Sequence, residues 1–356
     1  MTRLGEVATY INGFAFKPDD WSEEGLPIIR IQDLTGNSYQ MNRYAGDYNP
    51  KYEVNRGDVL ISWSASLGVY VWQGEKALLN QHIFKVVFDK CEVDRSFYVH
   101  QVAAILEKAA NQAHGATMKH LTKPVFDALP FYLPDLPTQR RIADTLDKVS
   151  EGIEVCRKML GELDLMVKAK FGEMFGDVVQ NSKQLPIKTL PEISENLDSR
   201  RIPITGSVRE KGIYPYYGAS GIVDYVKDYL FDEDILLISE DGANLLARST
   251  PIAFSAAGKV WVNNHAHVLR FRDRATQCYV ENFLNMIDIS NYVTGTAQPK
   301  LNQAKLNAIP IPTPELASQK QFMEFTRQIE KIKLTSCEVL DKMETERLAL
   351  MQEYFG

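Results

Sequence analysis

The chain writes one pattern twice, at a fixed offset of 180 residues. Gly115 pairs with Gly295, Leu121 with Leu301, Ala128 with Ala308, Pro130 with Pro310, Pro134 with Pro314, Leu136 with Leu316, Gln139 with Gln319 and Leu160 with Leu340; Phe175-Gly176 pairs with Phe355-Gly356. No gap breaks the register. A repeat of this kind commits the chain to two copies of one structural plan, held together because they share a backbone. At 356 residues it is also longer than one typical domain. Two similar surfaces on one chain suit a ligand that itself has two parts, and long DNA is such a ligand.

The closing part of each copy reads as a long helix. From Ile142 the apolar positions run Leu146, Val149, Ile153, Cys156, Leu160, Leu163 and Val167 in alternating steps of four and three, which is a coiled-coil seam. A helix over 137–176 is about 60 Å long at roughly 1.5 Å per residue, more than a compact domain can cover. Gly152 and Gly161 each weaken it by roughly 1 kcal/mol, so packing must hold it. The second copy, 317–356, offers Phe322, Phe325, Ile329, Ile332, Val339, Leu340, Met343 and Leu350; Lys333 and Arg347 interrupt its aligned seam and its phase drifts. The simplest cover for each helix is the other. The expected helix-pairing residues are Ile142, Leu146, Val149, Ile153, Leu160, Leu163, Phe322, Ile329, Leu340 and Met343. Two surface helices, each packed on its own domain, are the alternative.

The opening parts read as mixed α/β. Short β-rich runs at 26–31, 59–62, 83–88, 235–239 and 267–271 are separated by Gly, Asn, Asp and Ser turns, with helices expected over 96–109 and 279–287. These parts align more loosely with each other: Asp58-Val-Leu-Ile-Ser62 answers Asp234-Ile-Leu-Leu-Ile-Ser239 with one insertion, and Asn80-Gln81-His82 answers Asn263-Asn264-His265. The expected fold class is α+β, with two pseudo-repeated α/β heads, each followed by a long helix, the helices pairing as an antiparallel coiled coil. The boundaries fall at 1–132 and 180–312 for the heads, and at 133–179 and 313–356 for the helices. Close repetition of helices and divergence of heads suggest one scaffold reading two different things.

Composition narrows the function. Hydrophobic content of 45% and charged content of 24% suit a folded soluble protein, no apolar run approaches the roughly 18 residues of a membrane span, and MTRLGEV has no signal-peptide core. Cys91, Cys156, Cys278 and Cys337 lack C-x-x-C spacing, so neither a zinc ribbon nor a disulfide framework is implied and a reducing cytoplasm fits. Net charge is −6; residues 1–135 hold 13 Lys and Arg against 16 Asp and Glu, and residues 177–315 hold 14 against 16. DNA binding by bulk attraction is therefore disfavoured. Any DNA face must be locally basic, or must work beside basic partners.

The ordered set of motifs resembles the DNA specificity subunits of type I restriction–modification systems. The residues that carry the likeness are Arg3-Leu4-Gly5-Glu6-Val7, the Gly-Asp-Val-Leu-Ile-Ser run at 57–62, Asn80-Gln81-His82-Ile83, YPYYGASGIV at 214–223, and Ile238-Ser239-Glu240-Asp241-Gly242-Ala243-Asn244. To these are added the two Gly-x4-Lys/His-Leu segments running into Pro-x-Leu-x-x-Gln and the helix. The likeness spans essentially the whole chain; Ala317 stands where the first copy has Pro137. The resemblance implies two target recognition domains, each reading half of a bipartite site on double-stranded DNA. The paired helices would be a ruler for the gap, methyltransferase subunits, two of them, would dock on the helices, and restriction subunits would join through the complex. A rod of about 60 Å covers roughly 18 base pairs at about 3.4 Å each, so two heads could meet half-sites within a few helical turns. The complex would use S-adenosylmethionine, magnesium and ATP; this chain would hold no cofactor and catalyse nothing.

Catalytic signatures are not found. Asn49-Pro50-Lys51-Tyr52 lacks the second proline of an adenine-methyltransferase turn and reads as an ordinary Asn-Pro turn; there is no G-x-G-x-x-G, no P-loop and no E-x-K. His265 and His267 alternate on a strand without a third ligand and read as structural, not metal-binding. Candidate DNA contacts are loop amides, cations and hydroxyls, which match base edges and phosphates. In the first head these are Gln32, Asn37, Ser64, Ser66, Lys119 and His120; in the second, Tyr216, Tyr217, Ser220, Asn244, Arg248 and Lys300. A divergent methyltransferase or nuclease, and a coiled-coil scaffold with two protein-binding heads, stay open as alternatives.

Overall fold

The computed structural model describes residues 2–37, 40–112, 122–295 and 297–356. The chain divides into two compact units: 1–157 with 338–356, and 158–337.

In the second unit the strand Ile235–Ser239 is buried along its whole length, because both of its faces are covered. Leu236 and Ile238 face a core with Tyr279, Val280 and Phe283 of the helix Arg274–Met286. Ile235 and Leu237 face the other way, onto Val260, Val262 and Phe231 of a second sheet. This is why Ile-Leu-Leu-Ile reads as an unbroken apolar run and not an alternating one. The first sheet has the order Ser194–Asn196, Ala266–Phe271, Ile235–Ser239, Ala253–Ala256, all antiparallel. The second runs Gly221–Val226, Lys211–Gly218, Lys259–Val262, Phe231–Asp232, with a parallel pairing in its middle.

The first unit repeats this topology strand for strand. Its sheets are Thr9–Asn12, Ile83–Val87, Val59–Ser62, Gly68–Val71, and Arg43–Tyr44, Leu26–Ile29, Ala77–Leu79, Glu53–Val54, again with the parallel pairing in the middle of the second. The helix Arg95–Gln112 takes the place of Arg274–Met286. Several expected edges shift, two of them by a visible cap. The strand expected to reach residue 31 stops at Ile29, because Asp33 accepts from the Arg30 amide at 2.8 Å and starts the turn Ile31–Leu34. The helix expected from 279 begins at Arg274, capped by Asp273, which accepts from the Ala275 amide at 2.9 Å.

Two 40-residue helices, Leu136–Phe175 and Leu316–Phe355, follow the heads. Each unit contains half of each. In the first unit Ile142 and Leu146 share a core with Met351, Gly152 lies opposite Met343, and Arg157 donates to Glu344 at 2.5 Å. In the second, Lys333 donates to Asp164 at 2.6 Å, and Phe171 and Phe175 pack on Phe322 with ring centroids 5.3 and 5.5 Å apart. Within either unit, numbers rise along one helix as they fall along the other, so the pairing is antiparallel. A Cβ on Gly152 would meet Met343 Cε at 2.1 Å; this glycine lets the helices close up.

Along the first helix Ile142, Leu146, Ile153, Cys156 and Leu163 are buried, and Val149, Leu160 and Val167 half-buried. The second does not drift: its inward positions are Phe322, Thr326, Ile329, Lys333, Ser336, Leu340, Met343 and Arg347, still in steps of four and three. Ile332 and Val339 are off the seam, 47% and 42% exposed. Apolarity misled here because several inward positions are polar, satisfied by the Asp164 carboxylate for Lys333 and by the Ile332 carbonyl for Ser336.

Candidate nucleic-acid interface

Strand register equates positions in the two heads. Asn80 donates its backbone amide to the Ile29 carbonyl (3.2 Å) as Asn263 does to Tyr217 (3.1 Å), and Trp63 donates to His82 (3.2 Å) as Glu240 does to His265 (2.9 Å). Phe84 then stands where His267 stands, and Ile28 where Tyr216 stands. In both heads the same loops therefore meet at one end of the sheets.

In the second head four segments converge there. Ser239 Oγ donates to the Ala219 carbonyl at the hairpin turn. Gly242 N donates to Pro299 O at 3.0 Å and Leu301 N to Glu240 O at 2.8 Å, which fastens 298–301 alongside 240–242. His265 Nδ1 lies 2.9 Å from Asp241, and its amide donates to Asn263 Oδ1 at 2.8 Å. Beneath these loops is an ionic network, half-buried except for the buried His267 and the exposed Lys300. Arg201 meets Glu240 at 2.7 Å and Asp198 at 3.5 Å; Lys300 Nζ lies 3.2 Å from the other Glu240 oxygen. His267, 1% exposed, meets Asp198 through Nδ1 at 2.6 Å and the Leu301 carbonyl through Nε2 at 2.8 Å. Burial pulls the Asp198 carboxyl up, but the His267 hydrogen bond and charge, the Val268 amide and Arg201 outweigh it and hold it below the usual range. Glu240 is likewise held low against burial, by Arg201, His267 and Lys300.

Asp198, Glu240 and His267 are close enough to be a metal-ligand set, so carboxylates do accompany His267, contrary to the sequence expectation of no third ligand. Their chemistry is that of an ion-pair network. Each imidazole nitrogen already lies within hydrogen-bond distance of a protein acceptor, and both carboxylates are engaged by cations.

In the first head the same place is aromatic. Trp63 stacks on Phe84 at 5.6 Å, packs edge-on against His82 at 4.9 Å, and donates Nε1 to Asn12 at 3.2 Å. Ala65 and His82 adopt positive φ, 59° and 71°, so the loops turn sharply around this stack.

Of the sequence candidates, Gln32, Asn37 and Ser66 in the first head and Ser220 and Lys300 in the second are exposed; Tyr217 is half-buried. Lys119 and His120 lie outside the described residues. Four candidates are corrected. Ser64 is buried. Tyr216 is a core residue, its ring under Arg209 and its hydroxyl accepting from the Ile204 amide at 3.0 Å. Arg248 donates to the Leu284 and Ile287 carbonyls at 2.9 and 2.6 Å, and Asn244 closes its own loop against Ser249 and Thr250. Sequence reasoning missed Asp198 and Arg201, which lie far from His267 along the chain. Trp63 and Glu240 had a signal, since each directly follows an Ile-Ser strand end.

Two like-folded heads with unlike loops, joined to an antiparallel helix pair, define a class of two-headed recognition proteins. The type I restriction modification DNA specificity domain matches residues 1–164 and 184–345, and the chain belongs to that family. A Haemophilus influenzae protein described as a candidate type I restriction enzyme specificity subunit is 32% identical over 155 residues, which is 44% of this chain and 40% of that protein. This chain thus spans two fifths of that relative's length. The type I restriction enzyme MjaVIII specificity subunit of Methanocaldococcus jannaschii is 21% identical over 370 residues, 93% of this chain and 86% of its own. The crystal structure of a type I restriction-modification S subunit from M. genitalium shares the fold, with a TM-score of 0.62 over 99% of this chain and 95% of its own at 14% identity.

Proposed function

We propose that the chain is the DNA-reading subunit of a type I restriction–modification complex and performs no chemistry itself. Each head reads half of a bipartite double-stranded target through the loops gathered at its sheet ends. The helices serve as the spacer. They also carry outward apolar side chains that partner methyltransferase subunits would cover, among them Val155 in the first unit and Leu165 and Met166 in the second. One such subunit per repeat gives two, and restriction subunits join through them. S-adenosylmethionine, magnesium and ATP belong to those partners, in the cytoplasm.

The observation that carries this reading is the pairing of identical topology with different content: Trp63 and Phe84 in one head, Glu240 and His267 at the same register in the other. A scaffold with one kind of ligand has no use for that difference. Two unlike half-sites do. Among the exposed candidates, Gln32, Asn37 and Ser66 are assigned to the first half-site, and Tyr217, Ser220 and Lys300 to the second. Methylation sequencing of a host with and without this gene gives a split motif that disappears on deletion, and footprinting of the assembled complex protects two separated segments. Protection of none returns the chain to a protein-binding scaffold, and methyl-donor binding by the isolated chain makes it an enzyme.

A further inference from the structure

Lys300 is fixed from several sides. Its amide donates to the Thr294 carbonyl at 2.7 Å and its carbonyl accepts from the Thr294 amide at 2.8 Å. The next carbonyl, that of Leu301, accepts from His267 Nε2 at 2.8 Å. The imidazole cannot turn, because Nδ1 is held by Asp198 at 2.6 Å and Asp198 is itself held by the Val268 amide at 2.7 Å. At the far end of the side chain the ammonium rests 3.2 Å from Glu240, whose other oxygen is occupied by Arg201. An ammonium has three donors, so hydrogens remain for a ligand. Phe84 occupies the His267 register in the first head and has no donor to offer a following segment.

Resting on the reading above, we propose that His267 is a positioning residue, which through the Leu301 carbonyl sets Lys300 against a phosphate of the second half-site. Lysine suits a phosphate as a point charge. Glu240, itself held by Arg201, tethers the ammonium until DNA arrives. Among the described residues of the first head, the same register holds the Trp63–Phe84 stack instead.

The test uses the assembled complex on a duplex carrying the target found by methylation sequencing, with affinity followed against salt. Each phosphate contact contributes about 0.9 to the slope of log affinity on log salt. Lys300→Ala, an exposed substitution, lowers the slope by about that amount. His267→Phe, which copies the first head, lowers it equally, and the double variant loses no more than either single one. A merely structural His267 would instead reduce affinity with the slope unchanged, and independent residues would give a double variant with about twice the loss; either result overturns the proposal, as does an unchanged slope for Lys300→Ala. Should His267→Phe not fold, His267→Asn decides: its shorter amide takes the place of Nδ1, within reach of Asp198 but not of the Leu301 carbonyl, so a lowered slope supports the proposal and a wild-type slope overturns it. Wild-type complex that binds target and scrambled duplex alike sinks the functional reading itself, whereas target preference with unmoved slopes sinks only the role of His267.

Discussion

At the scale of residues, the repeated Gln139 and Gln319 are joints. Both are buried. Gln319 Nε2 donates to the Pro314 carbonyl at 2.7 Å while its Oε1 accepts from Thr276 at 2.7 Å; Gln139 donates to Pro134 at 2.7 Å and accepts from the Asp94 amide at 2.9 Å. Each glutamine thus ties the first turn of a long helix to the helix of its head. Gln319→Ala strands buried partners and is expected to destabilise the second unit by about 1–3 kcal/mol in urea denaturation. Glu281 supplies a pH dependence. Burial, with Glu330 nearby, pushes its carboxyl up from 4.5 to about 7 despite the Ser255 hydrogen bond. A raised folded value gives stability that is full below 4.5 and lost as pH rises through 7, worth about 3 kcal/mol at most. Glu281→Gln should abolish that change between those limits, seen as a urea midpoint that no longer falls with rising pH. The repeat alignment exposed the glutamines without their role, because a role requires knowing what lies across the joint. His267 was seen as structural but its partners were not, since Asp198 and Arg201 reach it only through sheet pairing.

At the scale of elements, the long helices were legible because a seam of steps of four and three survives in both copies. In the first, the buried positions coincide with apolar residues. In the second, Phe322, Ile329, Leu340 and Met343 lie on the inward stripe, but Thr326, Lys333 and Ser336 share it while Ile332 and Val339 sit beside them facing water, so hydrophobicity alone blurs its edges. Polar seam residues are a known means of fixing register at some loss of stability. The glycines also divide. Gly152 faces Met343, but nothing lies within 4 Å of a Cβ built on Gly161. Gly161→Ala is therefore expected to stabilise the helix pair by about 0.5–1 kcal/mol, raising the thermal midpoint, whereas Gly152→Ala must displace Met343 Cε and gains less.

At the scale of the whole molecule, a linear division into head, helix, head, helix was readable, but the compact units are not linear. The first unit needs residues 338–356: Met351 lies in its core with Ile142, Phe355 packs on Phe97 at 5.6 Å, and Lys108 donates to the Phe355 carbonyl at 2.8 Å. Nothing in the local pattern of residues 1–157 announces that dependence, because it arises from antiparallel pairing across the chain. Removing 338–356 is expected to speed amide exchange in Arg95–Gln112 and in residues 136–157, while residues 235–239 and 274–286 keep their protection. Equal protection in the shortened chain would show that the first unit is self-sufficient.

That arrangement has a consequence in time. A ribosome adds residues at about 5–20 per second, and domains begin to fold as they emerge. The second unit, residues 158–337, is continuous and can close as soon as it is made. The first, though synthesised earlier, stays unfinished with an uncovered apolar flank until residues 338–356 follow, so of the two heads the one made first is the last to mature.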